Sequence, residues 1–147
     1  MISRPLRSIS GFTLIELMIA LLIAAILLSI AVPNYRRYVL RSQRVDATTA
    51  LTRIQAAQEK YFLQYNSYAP ALSPEPPNGL ALPNISDGGF YTINLTPGAM
   101  EYSATAAPRA STGQTADTKC TLFEIDHNGV KRAQDADGAD KTNECWR

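Results

Sequence analysis

A continuous apolar run lies close to the N-terminus of the chain. Between Phe12 and Val32, 18 of the 21 residues are hydrophobic, and Glu16 is the only charged one. As a helix this run spans about 32 Å, which is enough to cross the hydrocarbon core of a bilayer. The eleven residues before it carry two arginines and no acid. The pattern therefore predicts a membrane-spanning helix that follows a short basic segment.

The next segment, residues 34–66, has the pattern of an amphipathic helix. It contains no Pro or Gly, and its apolar residues recur at the spacing that places them on one helical face. The predicted apolar stripe comprises Ala47, Ala50, Leu51, Ile54, Ala57, Tyr61, Phe62 and Tyr65. The opposite, solvent-facing side is predicted to carry Arg41, Arg44, Thr48, Gln55 and Glu59. The two segments together predict a single helix of about 80 Å from Phe12 to Asn66. Its second half needs a partner to cover the apolar stripe.

The residue pattern of the rest of the chain predicts an antiparallel sheet. Residues 66–89 hold five of the nine prolines, which is too many for a helix or a central strand, so this segment is predicted to be a connecting loop. Alternating patterns predict strands over residues 90–95, 100–106, 119–125 and 130–132, with a loop over residues 107–118. Helix followed by antiparallel meander is an α+β fold, in which the sheet buries the apolar stripe.

Composition and charge exclude several classes of function. The 147 residues fit one domain, and one histidine and two cysteines leave little room for a metal site or a Ser/His/Asp triad. No phosphate-binding loop, catalytic carboxylate pair or nucleophile elbow occurs, so no enzyme activity, cofactor or metal is expected. Residues 33–68 have a net charge of +4 and residues 69–147 a net charge of −4. The acidic C-terminal part argues against a protein that coats nucleic acid generally.

Two ordinary interpretations of the apolar run leave Glu16 unexplained. A secretory signal peptide would be cleaved near Ser29-Ile30-Ala31, although its apolar core is usually only about 7–15 residues long. A plain membrane anchor gains nothing from a carboxylate, which costs about 2.5–3.5 kcal/mol near the middle of a bilayer. Cleavage between Gly11 and Phe12 would instead create an α-amine one helical turn from Glu16. In an assembly of packed helices, Glu16 of one subunit could neutralise the amine of a neighbour.

The motif at residues 10–17, SGFTLIEL, resembles the class III signal of type IV pilins and pseudopilins. The resemblance implies that Gly11 precedes the scissile bond and that Phe12 becomes the N-methylated first residue. It also implies that Glu16 serves methylation and subunit docking, and that Pro33 is the proline that kinks the helix. Residues 59–69 resemble the helix end of small minor pilins of the PilE/ComP kind.

This resemblance implies the type IV pilin fold, with a long N-terminal helix, a 3–4-stranded antiparallel sheet and a disulfide-closed C-terminal loop. The implied segments are a leader peptide (1–11), a transmembrane and assembly helix (12–33), the amphipathic half of the helix (34–66), and the αβ-loop, sheet and disulfide loop (67–147). The implied function is that of a structural subunit, a minor pilin, in pilus assembly and in pilus-dependent motility, adhesion or DNA uptake.

The resemblance also implies partners and location. The partners are other pilin subunits, a prepilin peptidase/methyltransferase, the inner-membrane pilus assembly machinery and, before assembly, the membrane itself. The subunit would cross the inner membrane once, with its C-terminal globular part (the pilin head) in the periplasm. It would become extracellular within the pilus.

Cys120 and Cys145 form the only pair of cysteines in the sequence. A bridge between them would stabilise the fold by about 3–4 kcal/mol in the chain-entropy model. It would also fit export of this part of the chain to an oxidising compartment. Two reduced thiols are the alternative. The resemblance identifies the bridged segment as the D-region of pilins.

Three further hypotheses remain open at this stage. A ComP-like DNA-uptake receptor would use a local basic stripe, although the net charge of this part of the chain is unfavourable. A type II secretion pseudopilin is disfavoured by the terminal cysteines. A calcium site at residues 135–140 lacks the spacing of an EF-hand, so a solvated acidic loop is the preferred interpretation. The candidate DNA contacts are Lys119, Lys131, Arg132 and Lys141.

Overall fold

The computed structural model describes residues 12–147. The predicted leader, residues 1–11, lies outside the described residues. Helix α1 runs over Leu14–Tyr65 and is followed by four strands and a short C-terminal helix. The strands are β1 (Tyr91–Pro97), β2 (Tyr102–Pro108), β3 (Leu122–Asp126) and β4 (Lys131–Gln134); a 3₁₀ turn covers Gly113–Ala116, and helix α2 covers Thr142–Cys145.

The long helix is confirmed within two residues at each end. Helix α1 continues through Pro33 and contains 52 residues. It ends where Asn66 adopts a left-handed conformation, with φ of 52°, and donates its backbone N–H to the carbonyl of Phe62 at 2.8 Å. Asn tolerates this conformation better than most residues, and a left-handed residue is a common way to end a helix.

The sheet is the predicted antiparallel meander, with strand order β1-β2-β3-β4. Ile93, Ala106, Phe123 and Ala133 lie opposite one another across its four strands, and all four are buried. Between β3 and β4 the turn at Asp126–Gly129 is confirmed, and Gly129 supplies its positive φ of 74°. Every predicted strand is present, with its ends shifted by one to three residues.

Contacts divide the chain into two units, Met1–Arg36 and Arg37–Arg147; we call the second the head. The head has one buried apolar cluster that joins Leu51 and Ile54 of α1 to Tyr91, Phe123 and Ile125 of the sheet. Alternate residues of β2, Ala104 and Ala106, are fully buried. Small side chains here leave room for the larger ones of the helix and the neighbouring strands.

Polar side chains of α1 hold the connecting loop between the helix and β1. The side-chain amide of Gln58 exchanges two hydrogen bonds with the backbone of Ala69, at 2.8 and 3.2 Å. Near the other end of the loop, the Asp46 carboxylate accepts hydrogen bonds from the Ser86 hydroxyl and from the backbone N–H of Gly88. The proline-rich loop is therefore fixed at both ends by the helix.

Three details of the sequence prediction are wrong. Tyr65 was expected in the core but is 43 % exposed, because the helix ends at this residue beyond the edge of the buried cluster. Arg44 was placed on the solvent side but is only 6 % exposed, because it pairs with an acid of the head. Cys120 was assigned to the third strand but precedes it, since β3 begins at Leu122.

Candidate functional site

The first candidate site is the start of helix α1. Thr13 lies just before the first helical residue, Leu14. The Thr13 hydroxyl accepts a hydrogen bond from the backbone N–H of Glu16 at 3.3 Å, and the Glu16 carboxylate accepts one from the backbone N–H of Thr13 at 3.4 Å. This reciprocal pair is a capping box, which satisfies two N–H groups that have no partner within the helix.

The capping box gives Glu16 a role inside its own subunit that sequence reasoning missed. The Thr-x-x-Glu pattern before an apolar run is a readable signal of such a cap. No cation within residues 12–147 pairs with Glu16. Among these residues its carboxylate makes its polar contacts with Thr13.

The apolar half of α1 is exposed along its whole described length. The described residues from Phe12 to Arg36 are all exposed, and the 18-residue window of highest hydropathy has no buried residue. By length and composition this helix could cross a membrane. A surface that is apolar on all sides requires either lipid or other apolar helices around it.

The residues assigned to processing lie at the limit of the described chain. Phe12 is the first described residue and is 88 % exposed, and Gly11 lies outside the described residues. Pro33 lies within α1, 19 residues after its start. Cleavage before Phe12 and a kink at Pro33 stay predictions.

The disulfide between Cys120 and Cys145 is confirmed. The two residues have a Cα–Cα distance of 5.9 Å and are both buried. Trp146, which follows the second cysteine, packs edge to face against Phe123 and donates its indole N–H to the carbonyl of Arg132 at 2.8 Å. The bridge thus ties α2 to the core of the sheet.

The four cations assigned to DNA contact lie near this disulfide, and each has a partner in the head. Three of them pair with acids: Lys119 with Glu144 at 3.4 Å, Arg132 with Asp126 at 3.1 Å, and Lys141 with Asp135 at 3.6 Å. The fourth, Lys131, places its Nζ 5.0 Å from the ring centroid of Trp146. Their positive charge is therefore largely offset within the head.

Two of the acids that face these cations, Asp126 and Asp135, have lowered pKa values. Burial raises the pKa of Asp126, but the backbone N–H groups of Val130 and Asn128 together with Arg132 outweigh it, so this pKa is lowered overall. The backbone N–H of Ala139, assisted by that of Asp137 and by Lys141, lowers the pKa of Asp135.

The acidic loop at residues 135–140 uses its carboxylates to hold its own backbone. Asp135 accepts hydrogen bonds from the N–H groups of Asp137 and Ala139, and Asp140 accepts two from Thr142. Within residues 12–147 no group of three or more His, Cys, Asp or Glu side chains is placed to hold a metal ion.

A buried ion pair joins α1 to the 3₁₀ turn, and sequence reasoning missed it. The Arg44 guanidinium donates to both carboxylate oxygens of Asp117, at 2.7 and 2.8 Å. Gln114 lies beside this pair and donates to the Tyr91 hydroxyl at 2.7 Å and to the carbonyl of Leu40 at 3.2 Å. Burial raises the pKa of Tyr91, so this hydroxyl stays protonated.

Comparison with known families gives two matches. Residues 33–124, more than half of the chain, match the family described as type IV minor pilin ComP, DNA uptake sequence receptor. Residues 6–32 match the prokaryotic N-terminal methylation motif.

Individual relatives match over shorter stretches. The type IV major pilin protein PilA of Myxococcus xanthus is 42% identical over 59 residues, which cover 40% of this chain and 27% of that protein. The type IV major pilin protein PilE1 of Neisseria gonorrhoeae is 36% identical over 87 residues, or 58% of this chain and 38% of that protein. The chain thus spans less than half the length of these curated relatives.

The fold also has a solved counterpart. The non-core minor pilin PilV of Neisseria meningitidis superposes with a TM-score of 0.52 and 14% identity, covering 67% of this chain and 89% of that one. At this identity the likeness concerns the fold alone. Together with the long apolar helix, the antiparallel sheet and the disulfide, the family matches show that this chain is a type IV pilin of the minor pilin ComP family.

Proposed function

We propose that this chain is a minor structural subunit of a type IV pilus that assembles through the apolar half of α1. The observation that carries the proposal is the exposure of this half, from Phe12 at 88 % to Val32 at 44 %. A water-exposed apolar helix of this length is strongly unfavourable, at about 25 cal/mol per Å² of apolar surface. Lipid covers it before assembly and neighbouring pilin helices cover it afterwards.

Processing precedes assembly in this proposal. A prepilin peptidase removes residues 1–11 by cutting between Gly11 and Phe12, and the new N-terminal amine is methylated. The match to the N-terminal methylation motif supports this step. The helix of residues 12–33 remains in the inner membrane with the head in the periplasm, from which the assembly machinery moves the subunit into an extracellular pilus.

The proposed role is structural rather than catalytic. Family membership supports this assignment. The polar clusters of the head also serve internal contacts: Arg44 with Asp117, Asp46 with the connecting loop, and Asp135 with its own loop.

Glu16 provides the test of assembly, because its two roles can be separated. Glu16→Ala removes the carboxylate and hence both the helix cap and the charge offered to a neighbour. Thr13→Ala weakens the same cap but keeps the carboxylate, so it is the matched control. In cells that assemble type IV pili, we expect Glu16→Ala to reach the membrane normally but to be missing from sheared pili. Thr13→Ala should be incorporated.

The outcome separates docking from capping. If Glu16 served only the cap, the two variants would behave alike. Normal incorporation of Glu16→Ala would refute the proposal that its carboxylate docks the subunit.

A DNA-uptake receptor is the second candidate, and the description of the matching family favours it. The cations suggested for this role are paired within the head, so DNA would have to displace acids such as Glu144 or Asp135. Fluorescence anisotropy with duplex DNA, titrated with salt, tests the candidate on the full chain in detergent. A receptor binds with an affinity that falls steeply with salt and is weakened by Lys131→Ala, but not by Lys60→Ala on the exposed side of α1. Absence of binding even at low salt removes this candidate.

A further inference from the structure

An open, basic cavity of about 260 Å³ lies in the head between the start of its α1 segment and the chain just after the 3₁₀ turn. Four cations and one acid line it, together with apolar groups such as Leu40. We call it the neck cavity, and its charged lining residues are Arg37, Arg41, Arg44, Lys119 and Asp117. Arg44 pairs with Asp117 and Lys119 pairs with Glu144, so among the described residues the cavity's unpaired positive charge comes from Arg37 and Arg41.

One donor at this cavity is left without a partner. Arg44 is 6 % exposed and uses its Nε and Nη2 for Asp117, while its buried Nη1 has no acceptor within residues 12–147. Buried guanidinium N–H groups are almost always hydrogen-bonded, since an unmet donor in the interior is unfavourable. The Nη1 group of Arg44 is therefore a donor that a bound anion at the cavity can use.

The helix arranges further positive charge around this donor. Arg37, Arg41 and Arg44 are spaced four and three residues apart, which places them on one helical face. Like charges at this spacing repel. Arg37 and Arg41 are exposed and pair with no acid among the described residues. An anion bound between them would relieve the repulsion.

We propose that the neck cavity binds a phosphate group. Asp117 already occupies the planar, bidentate edge of Arg44. The remaining donors come from two sides: the helix face, and Lys119, which an anion would draw away from its exposed pair with Glu144. A tetrahedral dianion offers acceptor oxygens in several directions, whereas a second carboxylate offers them in one plane. Arginines are the side chains best suited to hold phosphate in this way. This site lies outside the assembly surface described above, and the inference does not depend on assembly.

Two sources could supply this phosphate. One is free phosphate in solution. The other is a phospholipid headgroup, because Arg37 follows the apolar run by five residues, about 8 Å along the helix, and cations just beyond a membrane span attract anionic lipid. The same chemistry serves both sources.

The test titrates inorganic phosphate into the full chain in maltoside detergent and follows binding by ³¹P NMR. We expect a saturable response with one phosphate per chain. Arg41→Gln should lower the affinity about tenfold or more, because it removes a charged hydrogen-bond donor from the cavity. Arg41 is exposed and outside the core, so this variant should keep the fold, which circular dichroism checks. Arg53→Gln, the same change on the same helix but away from the cavity, should bind as the parent chain does.

A further titration identifies the source of the phosphate. In phosphatidylglycerol nanodiscs, a headgroup in the cavity would block added phosphate, whereas a site for free phosphate would bind it as in detergent; both results support a phosphate site. The proposal is overturned if the parent chain gives no saturable response or if Arg41→Gln binds as tightly as the parent. Duplex DNA that binds through Arg41 while inorganic phosphate does not would also overturn it, in favour of nucleic acid.

Discussion

The two halves of helix α1 differ in where their partners lie. From Leu14 to Arg36 every residue is exposed, although this is the most apolar part of the chain. Between Arg37 and Tyr65 the helix is less apolar, yet it contributes Leu51, Ile54 and four further buried residues to the head. A stripe on one side can be covered by one sheet, but a surface that is apolar on all sides cannot. Hydrophobicity alone therefore does not predict which half forms the core of its own subunit.

The two halves of α1 also differ in how a charged side chain finds its partners. Among residues 12–147, the side chain of Glu16 in the first half makes its polar contacts with Thr13, three residues earlier. Arg44 in the second half has a buried partner 73 residues away, Asp117. The charge of Arg44 is therefore paired within the head, whereas a partner for Glu16 in another chain is part of the proposed assembly.

The largest effect is expected from Arg44→Ala. The substitution leaves Asp117 buried without its cation, which should lower the free energy of unfolding of the head by about 3–5 kcal/mol. Chemical unfolding in detergent, followed by near-ultraviolet circular dichroism, measures this loss. The control is Arg53→Ala, whose exposed pair with Asp87 at 3.3 Å should contribute only about 0–1 kcal/mol. Equal losses in the two variants would contradict the burial of Arg44.

Leucines from the two halves provide the most direct contrast. Leu51 is fully buried, so Leu51→Ala should destabilise the head by about 2–5 kcal/mol. Leu22 is 62 % exposed, and Leu22→Ala should change head unfolding by less than about 0.5 kcal/mol. The same unfolding measurement applies to both. A large loss of head stability from Leu22→Ala would mean that the apolar half belongs to the core of its own subunit.

Removing the disulfide should have a somewhat smaller effect. The double variant Cys120→Ser and Cys145→Ser opens a loop with a sequence separation of 25 residues, which should cost about 2–4 kcal/mol. Thermal unfolding with and without reductant measures it: reductant should lower the melting temperature of the parent chain and leave that of the double variant unchanged. A parent chain insensitive to full reduction would contradict the stabilising role of the bridge.

The smallest expected effect is that of pH on the stability of the head. The pKa of Asp126 is lowered from 3.8 in the folded head, so this group contributes stability that is present above pH 3.8 and lost as the pH falls through the lower folded value. Unfolding between pH 5 and about pH 2 should show this decline. Asp126→Asn should be less stable at neutral pH and should show a weaker decline in acid. An identical acid profile for the variant would assign the decline to other carboxylates.

The sequence predicted the periodic parts of the fold well. The helix ends, the four strands and the turn at Asp126–Gly129 all follow from local patterns. The disulfide was favoured over two reduced thiols because it fits an exported, oxidising environment, and it is present. Arg44 was misplaced because its charge was given more weight than its position. It lies three residues before Ala47 and seven before Leu51, so the helical period already placed it on the buried face.

Other features depended on the tertiary structure. Nothing near Asp117 in the sequence indicates that it would meet a side chain 73 residues earlier, since residues 107–118 have the composition of a loop. The pairing of Lys119, Arg132 and Lys141 with acids likewise depends on how strands and α2 come together. The capping box at Thr13 and Glu16, by contrast, was readable from spacing alone.

The mass of the mature chain tests most directly whether the apolar half is kept for partners outside the subunit. Chain isolated from the membrane or from pili can be measured intact and after fragmentation of its N-terminus. We expect loss of residues 1–11 and the addition of one methyl group at Phe12, with the apolar half retained. Cleavage after Ala31, which would discard this half as an ordinary signal peptide, would contradict it.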